Sequence, residues 1–137
     1  MREQEWFGPV ELCVPCHKRM MLVVRMTVTG VASRFNLTLD AMDDLKMAVE
    51  EACQGIILQE ECFETLKMCF DADQEKLQVY VSGQNRRLGS ETAACMSLCT
   101  LDVLRCILES MVDAVEIEED GHGLCSIKLT KNLTLDA

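Results

Sequence analysis

The stretch Met26-Thr-Val-Thr-Gly-Val-Ala-Ser-Arg-Phe-Asn-Leu-Thr-Leu-Asp-Ala-Met-Asp-Asp-Leu-Lys-Met-Ala-Val-Glu-Glu-Ala-Cys53 reads as the end of one helix, a short polar break and most of a second helix. The first extends back to about Arg19 and forward to Phe35, because Met21, Val24, Val28, Val31, Ala32 and Phe35 recur at helical spacing. Gly30 weakens it locally and Asn36 is its stop signal. Thr38 or Asp40 can cap the second helix, and Asp43 and Asp44 suit the positive end of its dipole. Met42, Leu45, Val49, Ala52, Cys53, Ile56 and Ile57 then form one apolar stripe, with Lys46 and Glu50 on the opposite side.

Strands surround this helical pair. Val10-Glu-Leu-Cys-Val14 alternates apolar and polar residues and Pro15 ends it. Strands over about Thr65–Ala72 and Lys76–Ser82 flank the turn Asp71–Glu75, so they pair as an antiparallel hairpin. Gly83–Ala94 reads as a polar loop, and Leu98, Leu101, Leu104, Ile107, Leu108 and Met111 predict a third helix over about Ser97–Met111. Val115–Glu118 and Leu124–Thr130 close the chain as a second hairpin around Asp120–Gly123. The order β-α-α-β-β-α-β-β predicts an α/β (α+β) two-layer sandwich, with helices on one face of a mainly antiparallel sheet.

The bulk numbers set limits. At 137 residues the chain is expected to be a single domain, residues 1–137 with a core over about 10–133. Net charge is −10 and the pI near 4.6, which disfavours direct contact with nucleic acid and favours a basic protein partner. No apolar run approaches the about 20 residues of a membrane helix, and Met1–Pro9 lacks the apolar segment of an export signal, so a cytoplasmic location is expected. Nine cysteines in such a chain read as free thiols acting as small apolar side chains, with Cys53, Cys69 and Cys106 at core-like positions. Cys13-Val-Pro-Cys16-His17 has haem-attachment and zinc-ligand residue types. Haem of that kind belongs to exported proteins, and zinc needs a second pair, for which Cys95 and Cys99 are the candidates; no metal site is predicted. His122, flanked by glycines, reads as a solvated turn residue, and Glu116, Glu118, Glu119 and Asp120 as a solvent face that a basic partner could meet.

Residues Arg25–Cys53, with Glu51-Ala-Cys53 on the second helix, resemble the anti-sigma-factor serine kinases of the histidine-kinase-like ATPase superfamily. The resemblance continues in Leu108–Val115 and Ile127–Lys131 and covers about Val10–Leu133. It implies the histidine-kinase-like ATPase fold, a sigma factor or an anti-sigma antagonist as protein partner, a homodimer formed through the N-terminal region, and partner contacts at Arg25 and Arg34. It also implies three nucleotide elements, and here each departs from the pattern. The family's glutamate, which polarises the attacking hydroxyl, is matched by Glu51. The asparagine four residues on, which holds Mg²⁺, is replaced by Gly55. In the second element Gly83 replaces the aspartate that reads adenine, and Asn85 replaces a glycine. In the third, the glycine-rich turn that cradles phosphate is matched by Leu101–Leu104, with Asp102 and β-branched Val103 where glycines belong. The expected function is therefore anti-sigma-like regulation by protein binding, without a cofactor and with Glu51 as a relic base. The nucleotide pocket is expected to be collapsed, with Met96, Leu98 and Leu101 as fillers. The alternative is an ATP-dependent serine/threonine kinase of the same type, working with Mg-ATP.

Overall fold

The computed structural model describes residues 9–57, 63–86, 98–120 and 123–133. Strand β1 (Val10–Pro15) leads through a 3₁₀ turn, Lys18–Met20, into α1 (Met21–Ala32) and then α2 (Leu39–Ile57). A hairpin of β2 (Phe63–Ala72) and β3 (Lys76–Arg86) follows, then α3 (Leu98–Glu109) and a second hairpin of β4 (Ala114–Asp120) and β5 (Gly123–Asn132). The five strands form one sheet in the order β1-β2-β3-β5-β4, with every neighbouring pair antiparallel. This is the predicted α+β two-layer arrangement.

Strand register explains the layering. Leu12, Met68, Val81, Ile127 and Ile117 stand opposite one another across the sheet and turn toward the helices. One residue along, Glu11, Cys69, Tyr80, Lys128 and Glu116 form a row on the other face, with a period of two separating core from solvent. That outer row is polar and cross-linked: Lys128 Nζ lies 3.6 Å from Glu116 and 5.7 Å from the centre of the Tyr80 ring. Against the inner rows pack Val24, Val28 and Ala32 of α1, Leu45, Val49, Ala52, Cys53 and Ile56 of α2, and Leu101, Leu104 and Leu108 of α3.

Several boundaries differ from the sequence reading, each for a local reason. The first helix is shorter than Arg19–Phe35. His17 Nδ1 accepts from the backbone N–H of Arg19, which starts a 3₁₀ turn before α1. At the other end Arg34 and Phe35 donate to Val31 and Ala32 in tighter i→i−3 bonds. Of the two proposed caps on α2, Thr38 serves: its Oγ1 accepts from Ala41 N–H at 3.0 Å. Strand β3 does not stop at Ser82 but runs to Arg86, because β2 begins at Phe63 and offers partners that far. The loop assigned to Gly83–Ala94 is thus strand through residue 86, and its remainder lies outside the described residues. Helix α3 ends at Glu109, where Ser110 N–H is shared between the Cys106 and Ile107 carbonyls. Ile107, read as core, is exposed; so is Cys106, while Cys69 sits half-buried on the outer sheet face.

Candidate functional site

The middle of α2 carries the glutamate of the first box. Glu51 is half-buried, Gly55 lies buried one turn later, and no hydrogen bond or ion pair engages Glu51 among the described residues. The spacing of four does place both positions on one face of the helix, as the resemblance requires. Glycine offers that face no side-chain oxygen.

The neighbouring Glu50 behaves differently. Its Oε2 lies 2.8 Å from Arg25 Nε, so it ties α2 to α1 instead of facing solvent as its helical position suggested. Arg25 remains 46% exposed while held. The arginine read as a partner contact is thus available on the surface and already neutralised from within. Arg34 is exposed in the turn after α1.

At the second box the structure adds a residue that the sequence reading missed. A Cβ built on Gly83 would fall 2.3 Å from the ring of Phe63, well inside any real contact distance. Phe63 is buried, and Arg86 lies over the same ring at 4.7 Å. At the position that the resemblance matches to the family's adenine-reading aspartate, the space is therefore filled by an aromatic side chain. Phe63 escaped notice because the strand was read from Thr65, which left it among the polar residues after α2. Asn85, in β3, has a backbone that glycine adopts more readily than other residues. Its φ is 60°, the left-handed region a glycine would occupy, and its side-chain amide donates to Thr65 Oγ1 at 3.3 Å.

The third box falls inside a helix. α3 starts at Leu98, so Leu101–Leu104 is helical throughout, with Leu101 and Leu104 buried and Asp102 and Val103 exposed. From Asp102 onward the N–H groups bond carbonyls four residues back, and no cluster of free N–H groups is left there to hold phosphate. Leu101, one of the expected fillers, is buried. Met96 and the side chain of Leu98, the other two, lie outside the described residues, as do Cys95 and His122. Among the described residues, those that the resemblance matches to the nucleotide boxes do not fit Mg-ATP: Gly55 offers no metal ligand, Phe63 fills the space beside Gly83, and Leu101–Leu104 are helical.

The described thiols lie apart from one another in function. Cys13 is exposed on the outer sheet face while Cys16 is buried toward the core, so the two point apart and His17 already uses Nδ1 as an acceptor. Among the described residues no three His, Cys, Asp or Glu side chains gather as metal ligands. Cys53 lies 3.9 Å from the Met68 sulfur, and burial, reinforced by nearby Cys16 and Glu50, pushes its thiol up to about 12. A thiol that resists ionisation this strongly is a core side chain, not a nucleophile.

No family model matches the chain. Relatives do. The serine-protein kinase RsbW of Halalkalibacterium halodurans is 27% identical over 142 residues, covering 93% of this chain and 85% of that protein. The serine-protein kinase RsbW of Bacillus subtilis is also 27% identical, over 140 residues, 90% of this chain and 85% of its own length. The protein of the same name from Bacillus velezensis reaches 33% over a shorter span of 78 residues, 55% of this chain. Among the described residues no helix is long and apolar enough to cross a membrane.

Proposed function

We infer that this chain, a member of the anti-sigma-factor serine kinase family, regulates by holding a protein partner and does not turn over ATP. The partner class is the one the resemblance implies, a sigma factor or its anti-sigma antagonist, engaged in the cytoplasm by a homodimer without direct contact to nucleic acid. The observation that carries the reading is the Phe63 ring lodged where a side chain on Gly83 would stand. A missing ligand can be replaced by water or by another residue, but a position filled by a buried ring must first be emptied. Emptying it exposes an aromatic side chain and costs about 1.5–3 kcal/mol, before any nucleotide contact is made.

A thermal melt with and without millimolar Mg-ATP or Mg-ADP tests this. A ligand at 100 times its dissociation constant adds about 2.7 kcal/mol and raises the melting temperature by several degrees. The expected result is no shift with either nucleotide; a clear shift overturns the reading.

A second reading, an active serine kinase, is supported by Glu51, which is half-buried, makes no side-chain hydrogen bond or ion pair among the described residues, and matches the family's glutamate by resemblance. Its relatives carry the kinase name. The discriminating variant is Glu51→Gln, tested for phosphorylation of the partner with radiolabelled ATP. The kinase reading requires a rate in the parent chain that this variant abolishes, whereas the binding reading requires no rate in either.

A further inference from the structure

We propose that β4, the outer strand of the second hairpin, is a docking edge that takes an extended basic segment of a partner protein as an added strand. The surface shares no residue with the nucleotide boxes or with α1, so it stands whether or not the chain turns over ATP.

β4 has β5 on one side and, among the described residues, no strand on the other. An antiparallel ladder engages the N–H and C=O of alternate residues, so the remaining backbone groups of β4 point away from β5, in position for another strand. The usual guards against such pairing are few. β4 holds no proline and no lysine, whereas β1, at the other edge, ends in Pro15. A register shift between Glu118 and Glu119 interrupts the ladder and leaves Ala114–Glu118 in regular pairing, the length of an ordinary strand. Within that stretch Val115 and Ile117 turn inward beside Leu129 and Ile127. They stay half-buried, because each has a neighbouring strand on one side alone. An added strand would cover them.

Charge selects the occupant. Glu116 and Glu118 project from the opposite face, Glu119 and Asp120 follow, and the strand has no basic residue. Lys128 of β5 comes within 3.6 Å of Glu116, yet that carboxylate stays 70% exposed. Glu118 accepts from Ser126 Oγ at 3.0 Å, a neutral donor that does not cancel its charge. Two β4 strands laid side by side would set carboxylate against carboxylate, and the net charge of −10 adds to the repulsion, so a second copy is the wrong occupant. A segment alternating basic and apolar residues matches both faces. Its lysines or arginines lie beside Glu116 and Glu118, and its aliphatic side chains cover Val115 and Ile117.

The test uses a short fluorescein-labelled peptide of alternating lysine and valine, titrated with the full chain and read by fluorescence anisotropy. Hydrogen–deuterium exchange of the complex is read alongside. The expected result is saturable binding with slowed amide exchange over residues 114–118. The double variant Glu116→Gln, Glu118→Gln should weaken binding by about tenfold, since it removes two cross-strand charge pairs. Both substitutions keep side-chain shape at exposed positions, and an unchanged melting temperature verifies that the fold is intact. The exchange readout is made on the parent chain and so does not depend on the variant. No saturable binding overturns the proposal. So does binding that leaves exchange over 114–118 unchanged, which is attraction to acidic surface without strand pairing, and so does full affinity in the double variant.

Discussion

Two glycines in regular secondary structure mark the two sides of this molecule. Gly83, on β3, is closed: the Phe63 ring occupies the space a side chain would need, and Arg86 covers the ring. Gly30, on α1, is open, with nothing near it and exposed apolar side chains along its stripe. The first lies where the family's chemistry would act and has been sealed with core material. The second lies on an exposed apolar stripe of α1 with open space around it. Packing can thus fill the space beside one glycine while leaving another open, because the two lie on different faces of the same core.

The contrast is breakable. Its largest test is Phe63→Ala, which removes a buried ring from over Gly83 and should lower stability by about 3–5 kcal/mol in urea titration. If the loss is under about 1 kcal/mol, the ring is not a structural plug and the pocket is not sealed. Gly83→Asp should cost about 1–3 kcal/mol by overpacking against that ring. Adding Phe63→Ala to it should then cost less than the sum of the two, since the clash is already gone.

Alkaline titration probes the core behind the sealed side. Unfolded chain loses the Cys53 proton near 9.0, while in the fold the thiol holds it up to about 12. The folded state therefore binds the extra proton between those values, and stability falls as pH rises through that window, by up to about 1.4 kcal/mol per pH unit from this group. Below 9 the effect is absent. The Cys53→Ala variant isolates it: its stability should fall less steeply with pH than the parent's between 9 and 12, and parallel slopes would remove Cys53 as the source.

On the open side the effects are smaller. Gly30→Ala should stabilise the dilute chain by about 1 kcal/mol, because alanine fits the helix and meets no neighbour. A destabilised variant would mean the space is not free. Smallest is Arg25→Ala, expected to cost under about 1 kcal/mol, since a pair in which arginine is nearly half exposed is heavily screened. Its effect on partner affinity, read by calorimetry, would show whether Arg25 does more than hold Glu50.

By itself the sequence determined the order of elements, the apolar stripe of α2, the alternation of the strands and the layer architecture. These follow from periods of 3.6 and 2 acting over short stretches, where each residue's environment is set by its immediate neighbours. It also marked the replaced residues at positions 55, 83, 85 and 102, because a missing side-chain group is visible without coordinates. Tertiary structure alone decided what took their place. That Phe63 folds over Gly83, that Asn85 takes a positive φ, that α3 runs through Leu101–Leu104 and that Glu50 reaches Arg25 are all contacts between segments distant in sequence or features of an element's local course. Such outcomes depend on register and on how far a strand or helix continues. A one-residue change there moves a side chain to another face, and no local pattern encodes it.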